Sequence, residues 1–260
     1  MLAYLESIIL GIVQGFTEFL PISSTGHLVL FGKIFGLREA GLFFDTLLHL
    51  GTLIAVLIVF RQEILHVLKQ PFGKLARLLV VGTIPTGVIG LTFKDYFEQI
   101  SQTGQTIGFE FIATGIILFA VDSLRKGTRN FTDITYTDAL LMGTLQGAAI
   151  LPAISRSGLT IAGALLRGIA REDAARFSFL LSLPAILGAC VLQAKELFDS
   201  PLLLTEITPM LVGTLFAAIT GYIAIRWMMK IISQGSLKIF AYYVGALGAI
   251  ILVLQAFGYW

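Results

Sequence analysis

The chain has 260 residues, 56% of them hydrophobic and only 13% charged, with a formal net charge of +2. A soluble domain carries roughly a quarter charged residues, so a soluble enzyme would lack polar side chains to cover its surface. A nucleic-acid binder would lack the basic tract that follows phosphates. A mean hydropathy of +0.88 fits an integral membrane protein, with room for roughly eight to ten helices of about 20 apolar residues each.

The opening run Met1-Leu2-Ala3-Tyr4-Leu5-Glu6 has no basic stretch, and no small-residue cleavage site follows it. It is expected to be mature structure and not a removable signal. The single cysteine, Cys190, excludes an intrachain disulfide and reads as a small core side chain. Apolar runs between short polar breaks predict helices over 2–19, 25–37, 41–60, 74–93, 107–123, 137–151, 157–169, 173–194, 208–229 and 237–257.

The chain repeats itself at about half its length. Gly11, Gln14, Gly15, Ile22, Ser23 and Gly26 match Gly143, Gln146, Gly147, Ile154, Ser155 and Gly158 at a shift of 132. Phe44, Leu47, Leu48 and Leu50 match Phe177, Leu180, Leu181 and Leu183 at 133. Val81-Gly82-Thr83 and Gly90 match Val212-Gly213-Thr214 and Gly221 at 131. Each half therefore holds five helical segments, with 1–123 as the first repeat, 124–136 as a connector and 137–260 as the second repeat.

The first two segments of each half flank a polar break, Pro21-Ile22-Ser23-Ser24-Thr25-Gly26 in one half and Pro152-Ala153-Ile154-Ser155-Arg156-Ser157-Gly158 in the other. Non-helical backbone at membrane depth survives only inside protein or facing water. The breaks thus read as tips of re-entrant hairpins. The expected fold is an all-α integral membrane protein of two inverted five-helix repeats, each with one re-entrant pair and three spanning helices. Broken helices of this kind often meet at a midplane site.

On that topology, 13 of the 18 Lys and Arg residues fall on the side holding 61–77, 124–136, 167–176 and 226–238. Lys33, Arg38, Lys94 and Lys195 fall on the other, and Arg156 lies in the second hairpin. The positive-inside rule places the first group in the cytoplasm and both termini outside. Trp227, Tyr259 and Trp260 suit interfacial anchoring.

Ionisable residues inside a membrane cost at least about 2.5–3.5 kcal/mol at a helix centre, so Glu18, His27 and Arg156 are informative. Gln14 and Glu18 share a helix face that Ser7 and Gly11 continue. It points toward Ser23, Ser24, Thr25 and His27. Helix capping accounts for a serine in such a loop, but not for the acid and imidazole beside it. In the second half Ile150 stands opposite Glu18, Leu159 opposite His27 and Arg156 opposite Ser24. One loop is acidic, the other basic. If the tips meet, a carboxylate, an imidazole, a guanidinium and several hydroxyls converge on groups suited to phosphate. The plain alternative is a Glu18–Arg156 ion pair that only joins the halves. Asp45 and His49, one turn apart, suit a supporting role or a satisfied pair. Glu110 and Asp122 are expected at the membrane interface, and Arg167, Arg171 and Arg176 need no role beyond the charge bias.

These residues resemble the undecaprenyl-diphosphatase family of the bacitracin-resistance type. Its (E/Q)-x-x-x-E motif is matched by Gln14 through Glu18, and its Pro-x-Ser-Ser-x-Gly-His run by Pro21 through His27. Its Pro-Gly-x-Ser-Arg-Ser-x-x-Thr signature is matched by Pro152 through Thr160, with Ala153 where the family usually has Gly. The likeness spans essentially the whole chain. It implies hydrolysis of a polyprenyl diphosphate to the monophosphate and inorganic phosphate, which recycles the lipid carrier of bacterial cell-wall synthesis. It also implies a divalent cation (Mg2+ or Ca2+), the bacterial inner membrane, a site open to the outer face, and bacitracin acting on the substrate. No nucleic-acid partner is expected, and a homodimer is left open.

For that chemistry Arg156 is expected to clamp the diphosphate with Ser155, Ser157 and Thr160. Gln14, Ser23 and Thr25 would bind from the other loop. Glu18, with Gln14 helping, would hold the metal or activate the nucleophile, for which Ser24 is the best candidate. His27 would transfer a proton or attack, and a metal-activated water is the alternative nucleophile. The competing class is a secondary transporter or lipid flippase, which the repeat and a midplane polar site also suit.

Overall fold

The computed structural model describes residues 2–35, 42–123, 127–199, 204–234 and 236–260. Twelve α-helices account for nearly all of them: α1 (Leu2–Phe19), α2 (Ser24–Phe35), α3 (Leu42–Val59), α4 (Arg61–Lys69), α5 (Lys74–Thr92), α6 (Lys94–Thr103), α7 (Ile107–Asp122), α8 (Tyr136–Ala148), α9 (Arg156–Leu166), α10 (Arg171–Asp199), α11 (Leu204–Gln234) and α12 (Lys238–Ala256). A single 3-10 turn, Phe131–Asp133, precedes α8. Among the described residues the only β-pairing is an isolated bridge between Arg129 and Ile169.

All ten anticipated helices are present. The two additional ones, α4 and α6, are short and mix charged with apolar residues, which is why an apolar-run reading passes over them. α4 bends 83° away from α3 and exposes Leu65, Leu68 and, just beyond its end, Phe72. Such an apolar face is of the kind found on helices that lie in a membrane interface.

Five helices, α1, α5, α10, α11 and α12, contain stretches long and apolar enough to cross a membrane, and bent α3–α4 makes up to a sixth. α1, expected in a re-entrant pair, is among them, whereas α7, expected to span, has only 16 residues and is not. The chain is a multi-pass membrane protein. Its outer surface agrees: α5 turns Val80, Ile84, Val88 and Leu91 outward, each more than half exposed. In water such a stripe would be an aggregation liability; against lipid it costs nothing. α2 and α9, of 12 and 11 residues, reach only about 17–18 Å at 1.5 Å per residue, short of the ~30 Å hydrocarbon core.

Interhelical packing relies on small residues, as expected where lipid tails are as apolar as leucine. α1 lies along α11, and α8 along α5. At the first crossing a Cβ on Gly11 would sit 2.2 Å from the Gly213 carbonyl oxygen; at the second, a Cβ on Gly143 would sit 1.7 Å from that of Gly82. No other residue allows so close an approach. Threonine hydroxyls reinforce both contacts, Thr220 donating to the Gly11 carbonyl at 3.4 Å and Thr86 to the Gly143 carbonyl at 2.8 Å. α7 packs on α12, and α3 on both α10 and α11. The largest fully buried side chains include Phe19, Phe111, Phe177 and Phe179. Cys190 packs against this core but stays half-buried, less enclosed than a core thiol.

The connectors gather at two ends. At one, Asp122 accepts from Arg171 at 2.6 Å and from the Leu237 amide at 2.9 Å, and also bonds the Ser236 hydroxyl. Arg129 and Arg167 converge on buried Asp138 at 2.5 and 2.7 Å, Arg176 pairs with Glu63, and Lys74 donates to the Thr132 carbonyl at 2.6 Å. At the other end the Trp260 indole donates to the Gly104 carbonyl at 3.0 Å, with the Lys33 ammonium 4.5 Å from the indole centroid. Lys74, Arg129, Arg167, Arg171 and Arg176 of the first group thus lie among the connectors at one end, and Lys33 at the other. Arg38, Arg125, Lys126 and the Lys195 side chain lie outside the described residues.

Candidate active site

The two polar breaks meet tip to tip. The Ser23 hydroxyl donates to the Pro152 carbonyl at 2.6 Å, and the Ser157 hydroxyl donates to the Leu20 carbonyl at 3.1 Å. The loops lace together almost reciprocally, since Leu20 and Pro152 are equivalent positions of the repeat. Each loop begins its returning helix with a serine cap. Ser155 accepts from the Gly158 amide at 3.1 Å, and Ser23 from the Gly26 amide at 3.4 Å. The capping reading therefore holds for Ser23 and Ser155, whereas the next residue in each loop, Ser24 or Arg156, reaches for Glu18.

Glu18 is the hub. Its side chain is only 3% exposed. Oε2 accepts from Ser24 Oγ at 2.5 Å and from Gln14 Nε2 at 3.0 Å, and His49 Nε2 lies 3.6 Å away. Oε1 takes the Arg156 guanidinium. A buried carboxylate needs such compensation. The i, i+4 spacing of Gln14 and Glu18 delivers one partner; both loops deliver the others. Gln14 Oε1 is buried with no hydrogen-bond partner, as is Oε1 of its repeat equivalent Gln146.

The first loop turns through Ser23 at φ 68°. A non-glycine residue in the left-handed region costs about 1–3 kcal/mol and persists only where its surroundings over-determine it. Here the Ser23 hydroxyl is tied to Pro152 and its carbonyl to His27 Nδ1 at 2.6 Å. The second loop is held from α7. Glu110 accepts from the Ala153 amide at 2.6 Å, and Thr114 bonds both the Ser155 amide and the Ala153 carbonyl at 3.2 Å. Glu110 is thus buried against the loop, contrary to its expected interfacial place. Its carboxylate satisfies backbone that helix geometry leaves open. Ala153 is fully buried and not among the positive-φ residues, so a methyl in place of the family's usual glycine brings no backbone strain.

Gln14, Glu18, Ser24 and Arg156 are therefore brought together, with His49 added. Asp45 meets His49 through its backbone carbonyl, which faces Nδ1 at 2.8 Å. Other anticipated residues turn elsewhere. His27 places Nε2 2.8 Å from the Tyr243 hydroxyl. The Thr160 hydroxyl donates to the Arg156 carbonyl at 2.9 Å and meets Ser178 Oγ at 2.5 Å. The Ser155 and Ser157 hydroxyls are 3.3 Å apart, Ser157 also donating to Leu20. Thr25 is half-buried in the first turn of α2. His49, Tyr243, Glu110 and Thr114 complete the constellation. Only His49 carried a sequence signal, its one-turn spacing from Asp45.

A buried carboxylate, a guanidinium and a serine hydroxyl thus meet where two loops of a helical membrane protein converge, groups of the kind that can hold an anion. The bacitracin resistance protein BacA family model matches residues 7–250, and the chain belongs to that family. It is 56% identical over 252 residues to undecaprenyl-diphosphatase 4 of Bacillus thuringiensis subsp. konkukian, covering 97% of each chain. It is 53% identical over 255 residues to the undecaprenyl-diphosphatase of Carboxydothermus hydrogenoformans, covering 97% of this chain and 98% of that one. Identity to the undecaprenyl-diphosphatase of Halothermothrix orenii is 42% over 249 residues, covering 95% and 96%.

Proposed function

We propose that this protein hydrolyses undecaprenyl diphosphate to undecaprenyl phosphate and inorganic phosphate, returning the lipid carrier to cell-wall synthesis. Family membership and the names of full-length relatives support the activity. The observation that carries the site is the meeting of Ser24 and Arg156 on the two oxygens of Glu18. The relatives named above are phosphatases, so a transport role is not favoured.

In this reading Arg156 uses one N–H on Glu18 and offers its remaining donors to the diphosphate. Ser24 Oγ attacks the terminal phosphorus as its proton passes to Glu18 Oε2. The bridging P–O bond breaks and the polyprenyl monophosphate leaves. Water then attacks the phosphoserine, the Oγ–P bond breaks, and Ser24 recovers its proton from Glu18. The water's spare proton leaves to solvent with release of inorganic phosphate. The positive charge on Arg156 offsets charge on the transferring oxygens, where catalysis of such a transfer concentrates.

A divalent cation, Mg2+ or Ca2+, fits this donor set. The unpartnered Gln14 Oε1 lies on the residue that bonds the Glu18 carboxylate, and hard cations take oxygen ligands, commonly one or two carboxylates completed by substrate phosphates. Among the described residues no three His, Cys, Asp or Glu gather to hold a metal unaided, in keeping with a site completed by substrate. Bound there, the ion would neutralise charge on the diphosphate.

The same proposal includes the inverted repeat, with α1–α2 and α8–α9 as re-entrant pairs. Its support is the exchange of equivalent partners, α1 on α11 and α8 on α5, and the shortness of α2 and α9. The charge bias supports both termini outside, and the bacterial relatives support the bacterial cytoplasmic membrane. His49, the eighth of the eighteen residues of α3, is 27% exposed beside Glu18, and a site open to the outer face is part of the same proposal. The test is phosphate release from detergent-solubilised undecaprenyl diphosphate, with Glu18→Gln as comparison. We expect steady release by the parent and a loss of at least ~100-fold in the variant, the scale of a positioned acid–base group. No release by folded parent protein refutes the activity, and near-normal release by Glu18→Gln removes Glu18 from the chemistry.

A further inference from the structure

His27 and Tyr243 come from opposite halves, 216 residues apart, and share a hydrogen bond of 2.8 Å. Their rings stack at 17° with centroids 5.7 Å apart, and Phe111 meets the imidazole edge-on at 5.4 Å. On its far side His27 Nδ1 lies 2.6 Å from the Ser23 carbonyl. A carbonyl only accepts, so Nδ1 carries the proton. The neutral ring then has its lone pair at Nε2, which the Tyr243 hydroxyl fills as donor. The ring is 2% exposed, with both nitrogens engaged.

The chain Tyr243 O–H to His27 Nε2, then His27 Nδ1–H to the Ser23 carbonyl, ends on the residue with the left-handed φ of 68°. That turn orients the next residue, Ser24, whose hydroxyl donates to Glu18 at 2.5 Å. The same Ser23 carbonyl accepts the His27 backbone amide at 3.3 Å and the Ser23 hydroxyl reaches Pro152, so the imidazole adds a side-chain hold to a turn that costs energy to keep.

We infer that Tyr243 is a positioning residue: acting through His27, it braces the Ser23 turn and so aims Ser24 at Glu18. The inference rests on the reading that Ser24 and Glu18 perform the chemistry. On this inference His27 acts as a strut whose working part is its Nδ1–H, and the Tyr243 hydroxyl, bonded to Nε2, holds the ring against the Ser23 carbonyl.

Tyr243→Phe keeps the stacked ring and removes only the hydroxyl. The expected result is at least a ~10-fold fall in kcat with little change in KM, a split that marks loss of an interaction felt in the transition state. Histidine-selective 15N NMR should show the His27 Nε2 resonance shift as it loses its donor, the signal being assigned by its absence in His27→Asn. The second arm compares amides at position 27. An asparagine nitrogen falls close to Nδ1 and still donates to the Ser23 carbonyl, whereas a glutamine nitrogen falls near Nε2. His27→Asn should retain at least ~10-fold more kcat than His27→Ala or His27→Gln. Parent-like kcat in Tyr243→Phe overturns the inference, as does folded His27→Asn no better than His27→Ala, the outcome expected if the imidazole transfers protons itself. Ser24→Ala is run alongside: full turnover there would overturn the underlying reading, whatever Tyr243→Phe shows.

Discussion

Arg156 and Glu18, 138 residues apart in sequence, form an ion pair that joins the two hairpin loops. The glutamate side chain is 3% exposed and the arginine 19%. A buried pair is a weak source of net stability, yet removing one partner strands the other at a cost of about 3–5 kcal/mol. Truncating Arg156 would therefore damage fold and chemistry together. The pair itself is compatible with two roles, counter-ion to Glu18 or phosphate clamp that parks on Glu18 between substrates.

Arg156→Lys separates them. Lysine keeps the charge but offers a point ammonium where arginine presents a planar fork. We expect a protein that inserts and melts like the parent but loses at least ~10-fold in kcat/KM, equivalent to about 1.4 kcal/mol. Inhibition by inorganic diphosphate, an isolated copy of the head group, should weaken in parallel. Parent-like kcat/KM with unchanged inhibition would leave Arg156 as a counter-ion alone.

The α5–α8 crossing makes a stability prediction. A Cβ on Gly143 meets backbone at 1.7 Å, whereas one on Gly87 meets nothing within 4 Å. Overpacking of this kind costs about 1–3 kcal/mol, and backbone cannot step aside as a side chain can. Gly143→Ala should lower the thermal midpoint in detergent by several degrees. Gly87→Ala, in the same helix bundle, should leave it unchanged or raise it, because alanine is the better helix former by about 1 kcal/mol. Equal midpoints for the two variants would mean that the helices do not approach this closely.

These residues also show what could be read without a structure. Gly11, Gly82, Gly143 and Gly213 stand out as repeat matches, and they turn out to be the contact points of equivalent helix pairs. The polar breaks are legible because a run such as Ser23-Ser24-Thr25 has no place in a continuous apolar helix, and a buried glutamate four residues from a glutamine declares a polar face. What stays hidden is direction. A hydroxyl near the site can cap its helix, as Ser155 does, or turn into a neighbouring helix, as Thr160 does toward Ser178. Packing between distant elements decides which. Tyr243 and Glu110 lie beyond any local pattern, because their partners are 216 and 43 residues away. Short α4 escapes for another reason, since nine mixed residues yield no sustained apolar run.

Orientation in the membrane is the last prediction. The end that gathers Arg129, Arg167, Arg171 and Arg176 should face the cytoplasm, since cytoplasmic connectors carry the excess of Lys and Arg. Thr128 is exposed at that end and Gln105 at the other, beside Gly104 and Trp260. With Cys190 replaced by serine to remove the native thiol, Thr128→Cys and Gln105→Cys provide one reporter on each side. A membrane-impermeant maleimide applied to intact cells should label Gln105→Cys readily and Thr128→Cys only after the membrane is opened. The reverse pattern would put the cation-rich end outside and turn the site toward the cytoplasm. Labelling of both in intact cells would place the two ends on one side, and the inverted arrangement of the halves would have to be abandoned.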